Sequence, residues 1–154
     1  MCVCVCGPSV VDKFAGLVTY YMPNDTLTWS EAAAKCGQGN GGYLATVFSA
    51  DMFTFLKGMY NQYIAKGGNA DGAWIDGKYN TGSKVWQCQG HSPCYGGIPW
   101  SVNEPNYLDT EHCVLVWRTH DDGVINYSCD VKFPAICMAS RYGVALSNSC
   151  LATF

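Results

Sequence analysis

Ten of the 154 residues are cysteines, and this constrains the fold more than any other feature of the chain. The cysteine fraction is far above what a domain in a reducing compartment needs, and below that of a mini-protein built from disulfides alone. A chain of this length can also bury a hydrophobic core of its own. We therefore expect one domain with a real core and several disulfides, in a secreted or extracellular protein.

Charge and hydropathy exclude several classes of protein. Only 14% of the residues are charged, the formal net charge is −3, and the lysines and arginines are scattered, so we expect no nucleic-acid partner. No apolar run approaches the roughly 18 residues of a membrane helix, so we expect no membrane partner. The apolar start at 1–6 is too short for a signal peptide, so if the protein is secreted we expect its signal to have been removed or to lie outside this sequence.

Catalytic motifs are missing from the sequence as well. It contains no Gly-x-Ser-x-Gly, His-Glu-x-x-His or Cys–His arrangement, and disulfides account better for its cysteines. The chain is therefore predicted not to be an enzyme.

The first half of the chain has two helix patterns. Thr28 is a typical N-cap for a helix over 29–36, whose three alanines favour this conformation. Ser49 caps a second helix, in which apolar residues recur every three or four positions from 52 to 64. No helical period follows it, so the second half is predicted to consist of strands and loops.

Short β-branched and aromatic segments predict strands over 17–21, 43–47, 74–75, 84–86, 114–117 and 134–136. Helices that come early and strands that follow are typical of an α+β fold and exclude a repeating βαβ sheet. The stretch 77–113 holds little regular structure. Its tryptophans and cysteines predict an ordered loop, and loops of that length in compact domains are usually functional.

The order of several short motifs resembles the C-type lectin-like domain family. Along the chain they are Trp-Ser-Glu-Ala at 29–32 with Cys36, Gly-Tyr-Leu-Ala-Thr-Val at 42–47, Trp-Ile-Asp-Gly at 74–77, Trp100 before Asn-Glu-Pro-Asn at 103–106, Cys-Val-Leu-Val at 113–116, Cys129, and Pro-Ala-Ile-Cys at 134–137. The resemblance covers about residues 14 to 138. It implies a C-type lectin-like fold with two helices, two small antiparallel sheets and a long ligand-bearing loop.

This resemblance suggests a division of the chain into three parts. We expect a Cys-rich N-terminal extension over 1–13, a carbohydrate-recognition domain over 14–140 and a tail over 141–154. The resemblance implies two disulfides, and we expect a third within the long loop: Cys36–Cys137, Cys113–Cys129 and Cys88–Cys94. The remaining cysteines lie near the ends: Cys2, Cys4, Cys6 and Cys150. They could pair among themselves, tie the N-terminus to the tail, or link two chains into a homo-oligomer.

Glu104, Asn106 and Glu111 lie close together just before Cys113. Carboxylate and amide oxygens are the ligands that Ca²⁺ takes, roughly six to eight at a time, and they also hydrogen-bond sugar hydroxyls. A cis bond at Pro105 would point both neighbouring side chains at one ion. In the family, Glu-Pro-Asn is associated with mannose-type sugars, whose two vicinal hydroxyls are equatorial. The resemblance therefore implies that Glu104, Asn106 and Glu111 are ligands of a sugar-binding calcium site.

The other part of that ligand set departs from the family pattern. The family has Trp-Asn-Asp shortly before the cysteine that matches Cys129, where this chain has Val124, Ile125 and Asn126. Ile125 cannot ligate a metal and Asn126 carries no charge, so we expect weaker Ca²⁺ binding, with Asn126 as a minor contributor. Three acidic residues of nearby loops are candidates for compensation: Asp109, Asp121 and Asp122.

Two further features bear on the site. Tyr107 directly follows the motif, so it is the aromatic residue that we place at the ligand; the tryptophans are expected to be core or loop anchors. Two glycosylation sequons begin at Asn24 and Asn126. A glycan on Asn126 would crowd the site, so we expect none there, while Asn24 stays open.

Two functional hypotheses follow. The leading one is a secreted lectin that binds glycans or monosaccharides with a terminal mannose-type sugar or N-acetylglucosamine. Ca²⁺ is its expected cofactor, but the altered ligand set leaves open whether the ion is bound. The alternative is an extracellular protein-interaction, matrix or biomineral protein that uses the same fold without binding sugar.

Overall fold

The computed structural model has the α+β fold that the motif order implies, with two helices and two four-stranded sheets in the part of the chain that it describes. The described residues are 11–14, 18–38, 42–88, 94 and 97–140. The terminal cysteines at positions 2, 4, 6 and 150 lie outside them, so their pairing stays open.

Helix α1 (Trp29–Gly37) begins at the predicted N-cap, Thr28. The Thr28 hydroxyl accepts a hydrogen bond from the Glu31 backbone at 3.3 Å, and the Glu31 carboxylate accepts one from the Thr28 backbone at 3.1 Å. This capping box satisfies two backbone donors at the start of the helix. The hydrogen bonds from Thr28 also lower the pKa of Glu31.

Helix α2 (Ala50–Ala65) begins at the predicted cap Ser49, whose hydroxyl accepts a hydrogen bond from the Met52 backbone at 3.2 Å. Its apolar face packs into the core through Phe53, Leu56, Met59, Tyr60 and Tyr63. Such a face is what the recurrence of apolar residues predicts.

The strands, in chain order, are β1 (Val11–Phe14), β2 (Val18–Tyr21), β3 (Tyr43–Leu44), β4 (Gly72–Asn80), β5 (Val85–Gln87), β6 (Cys113–Trp117), β7 (Ile125–Tyr127) and β8 (Cys137–Ser140). One sheet has the order β1-β2-β8-β3 and the other β5-β4-β6-β7. All neighbours within these sheets are antiparallel. The second sheet carries the ligand-bearing loop, because that loop lies between β5 and β6.

The prediction of a strand over 134–136 is wrong in its position. The regular strand is β8, which starts at Cys137, and Ala135 forms only an isolated parallel bridge with Trp74. The patterns also missed β1 and β7. Strand β7 has three residues and pairs only with β6 within its sheet, so it is too short to show an alternation of apolar and polar residues.

Three disulfides join these elements, and they are the pairs that were expected. Cys36–Cys137 connects α1 to β8, Cys113–Cys129 joins the start of β6 to the turn after β7, and Cys88–Cys94 closes a short segment of the long loop. Trp74 lies in the core with no exposed surface, and its indole N–H donates to the Leu27 carbonyl at 2.9 Å. The fold therefore has both an apolar core and covalent cross-links.

Among the described residues, the helices are too short or too polar for any of them to cross a membrane.

Candidate functional site

The first part of the ligand-bearing loop is fixed against the segment that leads into β7. The backbone N–H of Ser101 donates to the Val124 carbonyl at 2.9 Å, and that of Val124 donates to the Pro99 carbonyl at 3.0 Å. A Cβ on Gly123 would lie 2.5 Å from both the Pro99 oxygen and the Ser101 nitrogen, so only glycine fits there. The loop backbone thus enters the site from a constrained position.

Glu104 follows directly from this fixed segment. Its backbone N–H donates to the Ser101 carbonyl at 3.0 Å, and the Glu104–Pro105 peptide bond is cis. The Asn106 amide donates to one carboxylate oxygen, Oε1, at 2.8 Å. The other oxygen, Oε2, is buried and has no hydrogen-bond partner among the described residues. Burial raises the pKa of Glu104.

Glu111 lies near Glu104 at the other end of the motif. It is half-buried, and its backbone N–H donates to the Tyr107 carbonyl at 2.9 Å. Burial raises the pKa of Glu111, and the negative charge of Glu104 raises it further. The two carboxylates therefore repel each other, and a positive charge or hydrogen-bond donors between them would relieve that repulsion.

Asn126 connects the two ends of the motif. Its side chain is 1% exposed, and Oδ1 accepts a hydrogen bond from the Asn106 backbone N–H at 3.0 Å. The amide nitrogen donates to the carbonyls of Asn106 and Glu111, the latter at 2.8 Å. These contacts use the side chain to hold loop backbone. Its role as a minor calcium ligand stays a prediction, and a glycan there would have to displace these bonds.

Tyr107 lies on the outer surface of the loop with 73% of its area exposed. Its φ of 46° is in the left-handed region that few non-glycine residues adopt, and its carbonyl accepts hydrogen bonds from the Thr110 and Glu111 backbones. Val102 and Leu108 are also exposed, at 71% and 37%. The loop thus presents apolar side chains beside its carboxylates.

The structure brings Glu104, Asn106, Glu111 and Asn126 together through these bonds, and it places Tyr107 next to them in the chain with an exposed ring. The model of the family described as "Lectin C-type domain" matches residues 25–139, which is most of the chain. The chain belongs to the C-type lectin domain family.

Two curated relatives illustrate the range of this family. Rat lithostathine is 28% identical over 121 residues, which cover 77% of this chain and 70% of that protein. Mouse C-type mannose receptor 2 is 26% identical over 112 residues, which cover 73% of this chain and only 7% of the receptor.

Solved structures of C-type lectin domains share the fold. Human lithostathine superimposes with a TM-score of 0.72 at 20% identity, covering 85% of this chain and 88% of that chain. An SPL-1–GlcNAc complex gives 0.68 at 20% identity, with coverages of 90% and 98%. A calcium-independent type II antifreeze protein gives 0.65 at 21% identity, with coverages of 85% and 97%. At these identities the likeness shows the fold alone, so function has to be argued from the site.

The acidic side chains available for a cation at this C-type lectin site are few. In the described part of the chain, no three His, Cys, Asp or Glu side chains are grouped so that they could hold a metal ion. Ile125 and Asn126 stand at the two positions where the family pattern has the other side-chain ligands, and both are buried; Ile125 has no ligating atom and Asn126 has no charge. Asp121 pairs with Lys57, and Asp122 bonds Ser101 and Val102, so neither is directed at Glu104. Asp109, the third candidate, is exposed on the loop and is not grouped with two other acidic side chains. The two carboxylates that the structure places near each other are Glu104 and Glu111.

Those two carboxylates nevertheless fit a cation. The buried Oε2 of Glu104 has no hydrogen-bond partner among the described residues, although the backbone N–H groups of Asn126 and Asn106 lie near the carboxylate and oppose the rise in its pKa. The charge of Glu111 faces the same region. The residues that would hold Ca²⁺ are Glu104, Asn106 and Glu111, and a bound ion would supply a positive charge to which sugar hydroxyls coordinate. With so few charged ligands the affinity for Ca²⁺ would be low.

Two residues shape this site in ways that the sequence patterns did not predict: Lys57 was missed, and Asp122 was named only as a candidate metal ligand. Lys57 is 6% exposed and lies on the apolar face of α2, and Asp122 contacts the loop two residues before Glu104. A lysine within the apolar period of a helix was the available signal for the first. Asp122 stood out only as a candidate metal ligand, and its actual contacts depend on the tertiary fold.

Proposed function

We propose that this domain is a non-catalytic lectin that binds a terminal mannose-type sugar or N-acetylglucosamine through the loop from Glu104 to Glu111. The observation that carries the proposal is the Oε2 atom of Glu104, which is buried without a hydrogen-bond donor. A buried, unsatisfied carboxylate oxygen is unfavourable in a free protein, and a sugar hydroxyl or a cation satisfies it.

The neighbouring groups support the same proposal. Asn106 already donates to the other oxygen of Glu104, so the carboxylate is held in one orientation. Asn126 fixes the backbone on both sides of the motif, which reduces the entropy lost when a ligand orders the loop. The SPL-1–GlcNAc complex is a sugar complex on this fold.

Calcium enters this proposal as a weakly held cofactor. Glu104 and Glu111 provide the negative charge, and waters together with sugar hydroxyls would complete the coordination that the protein leaves open. We therefore expect Ca²⁺ and sugar to strengthen each other's binding. The three disulfides are consistent with an extracellular location, which we propose as well.

Calorimetry tests the proposal. Methyl mannoside and N-acetylglucosamine are titrated into the protein in Ca²⁺ and in EDTA, and the measurement is repeated with Glu104→Ala. The matched control is Asp130→Ala, which removes an exposed carboxylate from the turn after β7. We expect binding that Glu104→Ala abolishes and Asp130→Ala preserves. If wild-type protein releases no heat with either sugar, in Ca²⁺ or in EDTA, the proposal is wrong.

A protein-binding role is the second candidate, and one observation favours it. Val102, Tyr107 and Leu108 are three of the four large apolar side chains that are exposed among the described residues. An apolar surface beside a charged loop is typical of protein contacts. A glycan array without hits, together with a disulfide-linked band on a non-reducing gel, would support this interpretation.

A further inference from the structure

The connector between β6 and β7, residues 118–124, is anchored on one side to helix α2. The ammonium group of Lys57 donates to the carbonyls of Trp117, Arg118 and His120, the last two at 3.0 and 2.9 Å. It also pairs with the Asp121 carboxylate at 3.2 Å. Because Lys57 is almost fully buried in the helix face, these bonds fix the connector relative to the core.

On its other side the connector holds the ligand-bearing loop. One oxygen of Asp122 accepts a hydrogen bond from the Ser101 hydroxyl at 2.5 Å, and the other accepts one from the Val102 backbone N–H at 3.0 Å. These bonds, the one from Ser101 first, lower the pKa of Asp122. The carboxylate is therefore ionised at neutral pH and acts as a double acceptor.

The contacts continue from Ser101 to the proposed ligand group. The Ser101 carbonyl accepts the hydrogen bond from the Glu104 backbone N–H at 3.0 Å, so the position of Ser101 sets where the Glu104 backbone begins. The side chain of Val102 is 71% exposed, so its burial contributes little to holding this turn. The side-chain hydrogen bonds that hold this turn come from Asp122.

We propose that Asp122 is a positioning residue of the lectin site: it fixes Ser101 and Val102, and through them Glu104, against a connector that Lys57 anchors to α2. The inference rests on the proposed function of Glu104. A loop that is ordered before the ligand arrives binds more tightly than one that must be ordered on binding, because only the competent fraction of molecules accepts the ligand.

The sequence offers matched variants for a test. Asp122→Ala removes both bonds to the loop. Asp122→Asn keeps them, because the new amide accepts from Val102 N–H and donates to the Ser101 hydroxyl, which can serve as an acceptor. Asp121→Ala is the control: it removes the adjacent acid, whose ion pair is with Lys57 rather than with the loop. If Asp122→Ala does not fold, Ser101→Ala takes its place in the test, because it removes one of the two bonds.

Two measurements are made on each variant of the 154-residue chain: amide hydrogen exchange at residues 102 and 104, and calorimetric affinity for methyl mannoside. For Asp122→Ala we expect about tenfold faster exchange and about tenfold weaker sugar binding, since each lost bond corresponds to a factor of roughly 2 to 13. We expect Asp122→Asn and Asp121→Ala to stay within about twofold of wild type.

Wild-type exchange rates in Asp122→Ala would overturn the positioning role. So would an equal acceleration in Asp121→Ala, because the loop would then respond to any loss of charge in the connector. If wild-type protein binds no sugar, the proposed function fails, while the exchange rates still decide whether Asp122 orders the loop.

Discussion

The side chain of Asn126 is hydrogen-bonded to both the backbone N–H and the backbone carbonyl of Asn106, across 20 positions of sequence. A third bond, to the Glu111 carbonyl, ties the same amide to the other end of the motif. At a position where the family carries a charged ligand, this chain has a neutral group that both accepts and donates. Its contacts stabilise the shape of the loop.

Asn126→Ala is expected to destabilise the protein by about 2–4 kcal/mol, because it leaves three backbone groups without their partner at a buried position. For a domain of this size the melting temperature would then fall by about 5–12 °C. Thermal unfolding followed by circular dichroism measures this, and a fall of less than 2 °C would contradict the role assigned to Asn126.

Asn126→Asp restores the acidic residue of the family pattern and gives a sharper comparison. Its carboxylate can still accept from the Asn106 N–H, but it faces two carbonyl oxygens to which it cannot donate. In EDTA at pH 7 we expect this variant to be at least as unstable as Asn126→Ala. A variant as stable as wild type would mean that the donated bonds contribute little.

The fold was largely predictable because its signals are local or recur in a fixed order. Thr28 and Glu31 are three residues apart, and their capping box follows from that spacing alone. The periodicity of α2 likewise predicted a helix that matches the structure closely. Strand β7 was not predicted, because its three residues are defined by their pairing with β6 and have no sequence pattern of their own.

The site was predictable only as a set of residues. Which side chains bear oxygen could be deduced from the sequence, but the direction of each depends on contacts between distant segments. Asn126 bonds to backbone groups 20 positions away, and Lys57 bonds to carbonyls 60 and 61 positions away. Backbone carbonyls are present at every residue, so no side-chain pattern encodes which of them a buried lysine will meet.

Lys57→Met is expected to lower stability by about 2–3 kcal/mol, because the carbonyls of the connector lose a charged donor while the apolar face of α2 stays filled. The melting temperature should fall by about 5–10 °C. Asp121→Asn is the control: its carboxylate is 86% exposed, so its loss should change the melting temperature by no more than about 2 °C. Equal effects of the two substitutions would show that the ion pair, and not the carbonyl contacts, stabilises the connector.

Tyr107→Ala separates ligand contact from stability. Because the ring is 73% exposed, we expect the melting temperature to change by less than about 2 °C, while the affinity for a mannoside falls about three- to tenfold through loss of an aromatic contact. Val131→Ala is the comparison, since Val131 is exposed at 39% outside the loop and should affect neither quantity. Unchanged affinity in Tyr107→Ala would remove this residue from the sugar site.

Glu111→Gln tests the repulsion between the two carboxylates. The folded-state pKa of Glu111 is raised, by burial and then by Glu104, so its contribution to stability is complete below the unfolded value of 4.5 and is lost as the pH rises through the folded value. In EDTA at pH 7 the variant should therefore melt about 1–2 °C above wild type, since a repulsive pair near the surface costs about 0.5 kcal/mol. At pH 4 this advantage should disappear.

In Ca²⁺ the order of the two melting temperatures should reverse, because wild type keeps both carboxylates for the ion. Thermal melts from pH 4 to pH 8, with EDTA or Ca²⁺, measure these differences, and a gap independent of both pH and Ca²⁺ would contradict a shared cation site at Glu104 and Glu111.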